Sequence, residues 1–284
     1  MNRIDFALVM TAVRCNPNGD PTDGGMPRQD FEGYGVMSDV CIKRKIRNRL
    51  MDFGENILVA SNDRVTNGLY SIKDRVKNSS FYKDIPAKNG GEFLIEKACK
   101  EWIDVRSFGQ VFAYSGDTKK GGGVSRGIRG PVTVGEAVSL EPIDRIFRQI
   151  TKSTNAEADP DKTDAFTKGS STMGYKYIID KGVYVSYGSI YPNQAYNTGF
   201  TEDDAKKIKL AMATIFEGDY AVARPAGSMT STLYWWEHKS PLGNLSPAAV
   251  HRSLHIEPLE QFPYFKCNPD ALQEITLDIS GEFA

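Results

Sequence analysis

Long apolar runs are absent from the 284-residue chain, and its cysteines follow no recognisable pattern. No stretch of about 18 apolar residues occurs, so no membrane-spanning helix is expected. The N-terminal residues lack the small-residue cleavage site of a signal peptide. The four cysteines are far apart and form no Cys-x-x-Cys pair, which argues against a disulfide framework and a zinc knuckle. We therefore expect a cytoplasmic protein with free thiols and no membrane partner.

The common catalytic motifs are also missing. The glycine-rich string GGGVSRG at 121–127 is not the G-x-x-x-x-G-K-[ST] loop that binds nucleotide phosphates. No G-x-S-x-G elbow is present, and three histidines leave little material for a catalytic triad. The sequence therefore predicts no catalytic residue, no cofactor and no metal site.

An excess of charge of either sign is missing as well, since the formal net charge is −1. The charges are nevertheless segregated along the chain. Five of the seven residues from Lys43 to Arg49 are basic, and 119–135 contains basic residues but no acid. Residues 257–284 contain six acids and a single basic residue, Lys266. A chain of this kind can hold a phosphate backbone locally, and can stack basic surface against acidic surface on copies of itself.

The hydrophobic pattern predicts an α+β fold. Ser38 and Thr201 are typical N-caps for two amphipathic helices, and runs rich in Val, Ile and Tyr predict strands. The predicted order is strand 4–15, helix 38–53, strand 124–135, strand 174–190, helix 201–217 and strand 227–237. This is the split βαβ or ferredoxin-like plan (βαββαβ) of RNA-recognition modules.

Two insertions interrupt this plan within a single domain of residues 1–284. The first, at about 54–123, carries a helical pattern and is predicted to form a helical subdomain. The second, at about 136–173, includes a polar tract with too few apolar residues to fold alone. We expect the second insertion to project from the sheet.

Several strings of the sequence resemble one protein family. In chain order they are NPNGDP (16–21), MPRQD (26–30), SDVCIKRKIRNRL (38–50), DVRSFGQVF (104–112), RGPVTVGEAVSLEPI (129–143), MGYKYIIDKGVYV (173–185) and ARPAGSM (223–229). Together they resemble the repeated backbone subunit of the type I-C CRISPR surveillance complex, Cascade.

The resemblance implies a modified RNA-recognition fold with a protruding thumb, which is the insertion at 136–173. It also implies that several copies assemble along one CRISPR RNA, and that target DNA pairs with the displayed guide. Other Cascade subunits would occupy the filament ends. A separate, recruited helicase–nuclease would cleave the target, so this subunit itself is not expected to be an enzyme.

The residues expected to contact RNA carry positive charge or lie in the loop before the basic helix. They are Asn16, Asn18 and Arg28 in the loop, Lys43, Arg44 and Arg47 on the helix, Arg126 and Arg129 in the acid-free stretch, and Arg145 and Arg148 near the base of the thumb.

One alternative is a metal-dependent ribonuclease on the same fold. Related backbone subunits of type III complexes cut RNA with a loop aspartate, and Asp20, Asp23 and Asp30 are the corresponding candidates here. Turn-forming and capping roles explain these aspartates better than catalysis does, so non-catalytic RNA binding is the preferred hypothesis. A small-molecule enzyme is disfavoured because no catalytic constellation is present.

Overall fold

The computed structural model describes residues 1–86, 90–114, 124–151, 173–258, 265–270, 272 and 275–281. Its strands are β1 (Ile4–Val13), β2 (Gly19–Asp20), β3 (Met26–Pro27), β4 (Tyr34–Met37), β5 (Gly109–Tyr114), β6 (Val124–Arg129), β7 (Val132–Pro142), β8 (Arg145–Thr151), β9 (Met173–Ile179), β10 (Lys181–Ile190), β11 (Met229–His238), β12 (Leu254–Pro258), β13 (Phe265–Pro269) and β14 (Ile275–Gly281). Its α-helices are α1 (Asp39–Asp52), α2 (Ile72–Lys77), α3 (Gly90–Glu101), α4 (Ile103–Phe108), α5 (Pro192–Thr198), α6 (Glu202–Ala213) and α7 (Pro247–Arg252). No helix in these ranges is long and apolar enough to cross a bilayer.

An antiparallel sheet of six strands forms the centre of the molecule, in the order β14-β11-β1-β10-β7-β4. The first strand, β1, lies between β11 and β10 and is buried along nearly its whole length. Smaller two-stranded sheets pair β2 with β3, β5 with β6, β8 with β9 and β12 with β13. The central antiparallel sheet and the helices together form an α+β fold, as predicted.

Both faces of the sheet are covered at its centre, because successive residues of a strand point to opposite sides. One face packs against apolar side chains of α1 and α6, and the other packs against α7. The β1 residues on the helical side are Phe6, Leu8 and Met10, and those on the other side are Ala7 and Val9. Complete burial of a Leu or Phe side chain contributes roughly 1.5–3 kcal/mol.

The two long helices begin where their capping residues predict. The Ser38 hydroxyl accepts a hydrogen bond from the Cys41 backbone N–H at 3.2 Å at the start of α1. Thr201 and Asp204 form a capping box at the start of α6. Arg106 of α4 donates to both Asp204 carboxylate oxygens, at 3.0 and 2.8 Å, and so joins the helical insertion to α6. Burial raises the pKa of the Asp204 carboxyl, but the hydrogen bonds from Arg106 and Thr201 outweigh it, and the pKa lies below its ordinary value.

The predicted strand at 124–135 is wrong as a single element. It divides into β6, which pairs with β5, and β7, which belongs to the central sheet. The division falls at Gly130 and Pro131. Gly130 approaches the Ser107 carbonyl so closely that a Cβ would lie 2.1 Å from that oxygen, and Pro131 has no N–H for a ladder hydrogen bond.

The predicted strand at 174–190 divides in the same way, because β9 pairs with β8 whereas β10 pairs with β1. The boundary of the second insertion also shifts. Residues 136–142 continue β7 within the central sheet, since buried residues recur along it as far as Ser139. What leaves the sheet is the β8–β9 hairpin, and 152–172 lie outside the described residues. The first insertion holds α2, α3, α4 and β5, with 87–89 and 115–123 outside the described ranges.

Candidate nucleic-acid interface

Asn18 organises the loop that precedes the basic helix. Its side-chain oxygen accepts hydrogen bonds from the backbone N–H of Ser38 at 2.9 Å and from the Ser38 hydroxyl at 3.1 Å. The Asn18 carbonyl also accepts from the Arg28 backbone N–H at 2.9 Å. Asn18 therefore fixes the loop against the start of α1.

Asn16, predicted to contact RNA, is 7% exposed. Its side-chain amide donates to the Gly25 carbonyl at 2.8 Å, and its backbone N–H donates to the Ala223 carbonyl at 2.8 Å. Through these contacts Asn16 joins the loop at Gly25 to the segment at Ala223. Little of the Asn16 surface is left available to a ligand.

The three candidate aspartates hold the loop together. Asp20 accepts from the Thr22 backbone N–H and hydroxyl, at 2.9 and 2.7 Å, and these bonds lower the pKa of its carboxyl. Arg28 forms an ion pair with Asp20 at 3.0 Å and is 35% exposed. Asp23 pairs with Arg145 at 2.9 Å, and Asp30 accepts from the Tyr34 N–H at 2.8 Å. Among the described residues, no group of three or more His, Cys, Asp or Glu side chains is suited to hold a metal.

The basic residues of α1 divide into an inner and an outer set. Lys45 is 4% exposed and forms an ion pair with Asp219, and Arg49 is bound by Glu217 and by Asp52. Arg47, a predicted RNA contact, is 12% exposed. Lys43 and Arg44 form the outer set. Lys43 pairs with Asp39 at 2.9 Å and is 25% exposed, and Arg44 pairs with Asp63 at 3.5 Å and is 54% exposed.

The Arg47 side chain is held by the fully buried Asp104 of α4. Its Nε donates to an Asp104 oxygen at 3.0 Å, and its guanidinium lies 5.0 Å from the centre of the Phe108 ring. Asp104 also accepts from the backbone N–H groups of Leu58 and Val59, at 2.8 and 3.0 Å. Arg47 thus fixes the helical insertion to α1. Its side chain points toward Asp104 and not outward to where a ligand would bind.

A small cavity of about 200 Å³ lies beside the outer set. It is lined by Pro17, Asn18, Gly19, Cys41, Arg44, Lys45, Asp219 and Arg224. The Arg224 Nε donates to an Asp219 oxygen at 3.0 Å. Burial lowers the pKa of Lys45, and the charge of Asp219 opposes this effect. Arg224 and Lys45 were not among the predicted site residues. In the sequence, Arg224 could have been singled out by its position in ARPAGSM (223–229), one of the strings that carry the family resemblance.

The β8–β9 hairpin carries exposed aromatic side chains on one face and basic side chains on the other, because Phe147 and Arg148 are successive residues of β8. The Phe147 ring stacks on Tyr175 with ring centres 4.7 Å apart, and its centre is 5.6 Å from that of Tyr177. Phe147 and Tyr175 are 58% and 54% exposed. Arg148 is also exposed and lies opposite Lys176 in the hairpin register.

Arg126, within β6, and Arg129, at its last residue, are both exposed. Arg145, at the start of β8, is 32% exposed and joins the hairpin to the 16–30 loop through Asp23. The loop, the outer residues of α1 and the hairpin therefore meet at one end of the central sheet.

Comparisons with known proteins identify the family. The family model of the CRISPR-associated protein Cas7 matches residues 2–280. The CRISPR-associated protein Cas7 of Haloferax volcanii is 25% identical over 224 residues, which are 73% of this chain and 62% of that protein. The alignment thus spans about three fifths of the length of this curated relative.

Two solved chains are also similar, each covering 83% of this chain. One, from a CRISPR RNA-guided surveillance complex before nicking, is 13% identical, with a TM-score of 0.48 over 78% of its length. The other, from a CRISPR RNA-guided surveillance complex, is 14% identical, with a TM-score of 0.41 over 69% of its length. Because the family model matches nearly the whole sequence, the chain belongs to the CRISPR-associated Cas7 family.

Proposed function

We propose that this chain is the CRISPR RNA-binding backbone subunit of a type I-C surveillance complex, and that it is not an enzyme. The observation that carries the proposal is the β8–β9 hairpin, where exposed, stacked aromatic rings share one face with Arg145 and the opposite face carries the exposed Arg148. Exposed rings of this kind stack on nucleobases, and neighbouring cations attract the phosphates between them.

The fold we propose is a modified RNA-recognition fold. The strands β11-β1-β10-β7 have the spatial order of a split βαβ plan, with α1 after β1 and α6 after β10. In the simplest RNA-recognition modules the open face of the sheet stacks on bases. Here Tyr234 and Trp236, on the face opposite α1 and α6, are buried, so RNA is expected at the end of the sheet instead, on the loops and the hairpin.

The residues proposed to contact RNA are those predicted site residues whose side chains are at least partly exposed to solvent, together with Asn18. Arg28, Lys43 and Arg44 border the loop and the start of α1, and Asn18 holds that loop in place. The remaining members are Arg126, Arg129, Arg145 and Arg148. Asn16 and Arg47 are assigned supporting roles because the Asn16 amide N–H and the Arg47 Nε donate to groups within the protein and both residues are largely buried.

In the complex, we propose that several copies lie side by side along one guide, each with a thumb that begins at its β8–β9 hairpin. Target DNA would pair with the guide bases displayed between thumbs, while the protein holds the backbone. Other Cascade subunits would cap the ends in the cytoplasm, and a helicase–nuclease would be recruited to cut the target.

The test is binding and assembly on RNA of defined length. Purified protein should bind CRISPR RNA and unrelated RNA alike, with affinity that falls as salt rises. Electron microscopy should show particles whose length increases in steps as the RNA is lengthened. Failure to bind any RNA at low salt would refute the proposal.

The ribonuclease alternative has a separate test on the same sample. With Mg²⁺ added, labelled RNA should remain intact, because Asp20, Asp23 and Asp30 are engaged in loop contacts. Regularly spaced products that disappear when one of these aspartates is changed to Asn would establish cleavage instead.

A further inference from the structure

Three distant segments of the chain supply the cationic cavity described above. Asn18 comes from the loop after β1, Arg44 and Lys45 come from α1, and Asp219 and Arg224 come from the turn after α6. Three cations and one carboxylate line the cavity, which leaves an excess of two positive charges around an enclosed space. Such an excess in a partly enclosed site attracts an anion more strongly than isolated surface lysines do.

The size of the cavity limits what the anion can be. About 200 Å³ is several times the share of liquid volume taken by one water molecule, roughly 30 Å³. A single phosphate group with one or two waters fits this space, whereas a nucleobase with its sugar does not fit beside the lining side chains.

The turn between Asp219 and Arg224 offers an apolar surface at the edge of the cavity. Ala221 and Arg224 exchange two backbone hydrogen bonds of 2.9 Å, which close the turn. Tyr220 and Val222 on this turn are 61% and 82% exposed. Because Tyr220 directly follows the cavity-lining Asp219 in the chain, its exposed ring is available to a sugar or base attached to a phosphate in the cavity.

We propose that this cavity is a binding site for one phosphodiester group of RNA, with Arg224 and Arg44 as its direct ligands and Tyr220 contacting the adjoining nucleoside. The inference rests on the proposed RNA-binding function for the source of the phosphate. It adds a defined subsite, and it assigns Arg224 a role beyond its ion pair with Asp219.

Asp219 makes the assignment testable because it competes with the phosphate for Arg224. Arg224→Gln removes a ligand and should weaken RNA binding about tenfold at low salt, as expected for one charge-assisted hydrogen-bonded contact. Asp219→Asn removes the competing charge and should tighten binding. If Arg224 served only to hold Asp219, both substitutions would break the same pair and both would act in the same direction.

The salt dependence supplies a second measure that a purely structural role would not change. Loss of one phosphate contact should reduce the slope of log K against log salt by about 0.7 for a single strand. Lys206→Gln, on the exposed and distant side of α6, is the control for loss of one positive charge. It should leave the slope unchanged.

Thermal unfolding of each variant would separate folding defects from binding defects. Arg44→Gln keeps the test open if either substitution in the turn fails to fold, because Arg44 and its partner Asp63 are both more than half exposed. It should lower the slope as Arg224→Gln does. Normal RNA binding by the parent with unchanged slopes in both arginine variants would overturn the subsite alone. Absence of RNA binding by the parent would instead overturn the proposed function.

Discussion

The inner and outer basic residues of α1 share one helix and one short sequence run, yet they have opposite environments. Lys45 and Arg47 are 4% and 12% exposed and are bound to acids. Arg44, directly before Lys45 in sequence, is 54% exposed. A helix turns by about 100° per residue, so neighbours in sequence lie on different faces. A run of positive charge therefore does not by itself define a phosphate-binding surface.

The acids that neutralise the inner set lie far away in sequence. Asp104 is 57 residues from Arg47, and Asp219 is 174 residues from Lys45. The basic residues from Lys43 to Arg49 thus have two different roles. Inner residues join the insertion and the 214–224 segment to α1, whereas outer residues remain available to solvent and to ligands.

The largest expected difference between the inner and the outer ion pairs is in their contribution to stability. Asp104→Ala should lower the free energy of unfolding by about 3–5 kcal/mol, because it leaves Arg47 without its buried partner. It also leaves the Leu58 and Val59 N–H groups without acceptors. Urea denaturation measures the loss.

The matched control is Asp63→Ala, which removes the exposed partner of the outer Arg44. It should cost less than about 1 kcal/mol. Equal losses in the two variants would show that inner and outer pairs do not differ in the way proposed.

The second prediction concerns RNA affinity at the hairpin. Phe147→Ala should weaken RNA binding by about 1–3 kcal/mol, the usual contribution of one stacked base. Stability should change little, because the ring is 58% exposed. Fluorescence anisotropy with labelled RNA measures the affinity.

Tyr70→Ala is the aromatic control, since Tyr70 is 62% exposed but lies in the helical insertion. Its RNA affinity should equal that of the parent. An equal loss of affinity in both variants would indicate that exposed rings contribute non-specifically, and the hairpin would lose its special role.

Local sequence signals predicted much of the fold. Ser38 and Thr201 predicted the starts of α1 and α6 because a capping hydroxyl acts on N–H groups within three residues. The division of 124–135 was missed because both halves have strand character. Their assignment to different sheets depends on Ser107, which is distant in sequence and leaves no room for a side chain at Gly130.

The candidate site was harder to predict for the same reason. Arg44 and Arg47 look equivalent in the sequence, and only the tertiary position of Asp104 distinguishes them. The cavity joins Asn18, Arg44 and Arg224, which no periodicity connects. The stacked rings of the hairpin were also missed: the sequence predicted Arg145 and Arg148 near the base of a projecting insertion, but no local pattern joins Phe147 to the distant Tyr175.

The smallest expected effect concerns the outer residues of β6. Arg126 and Arg129 are exposed, so replacing both with Gln should change stability by no more than about 0.5 kcal/mol. If each contacts one phosphate, the slope of log K against log salt should fall by about 1.4. Replacing Lys73 and Lys77 of α2 with Gln removes the same charge from another exposed surface of the insertion. A matching fall in that control would mean that total charge, and not the position of the β6 arginines, governs RNA binding. An unchanged control would place the RNA path along β6 and extend the outer set beyond α1.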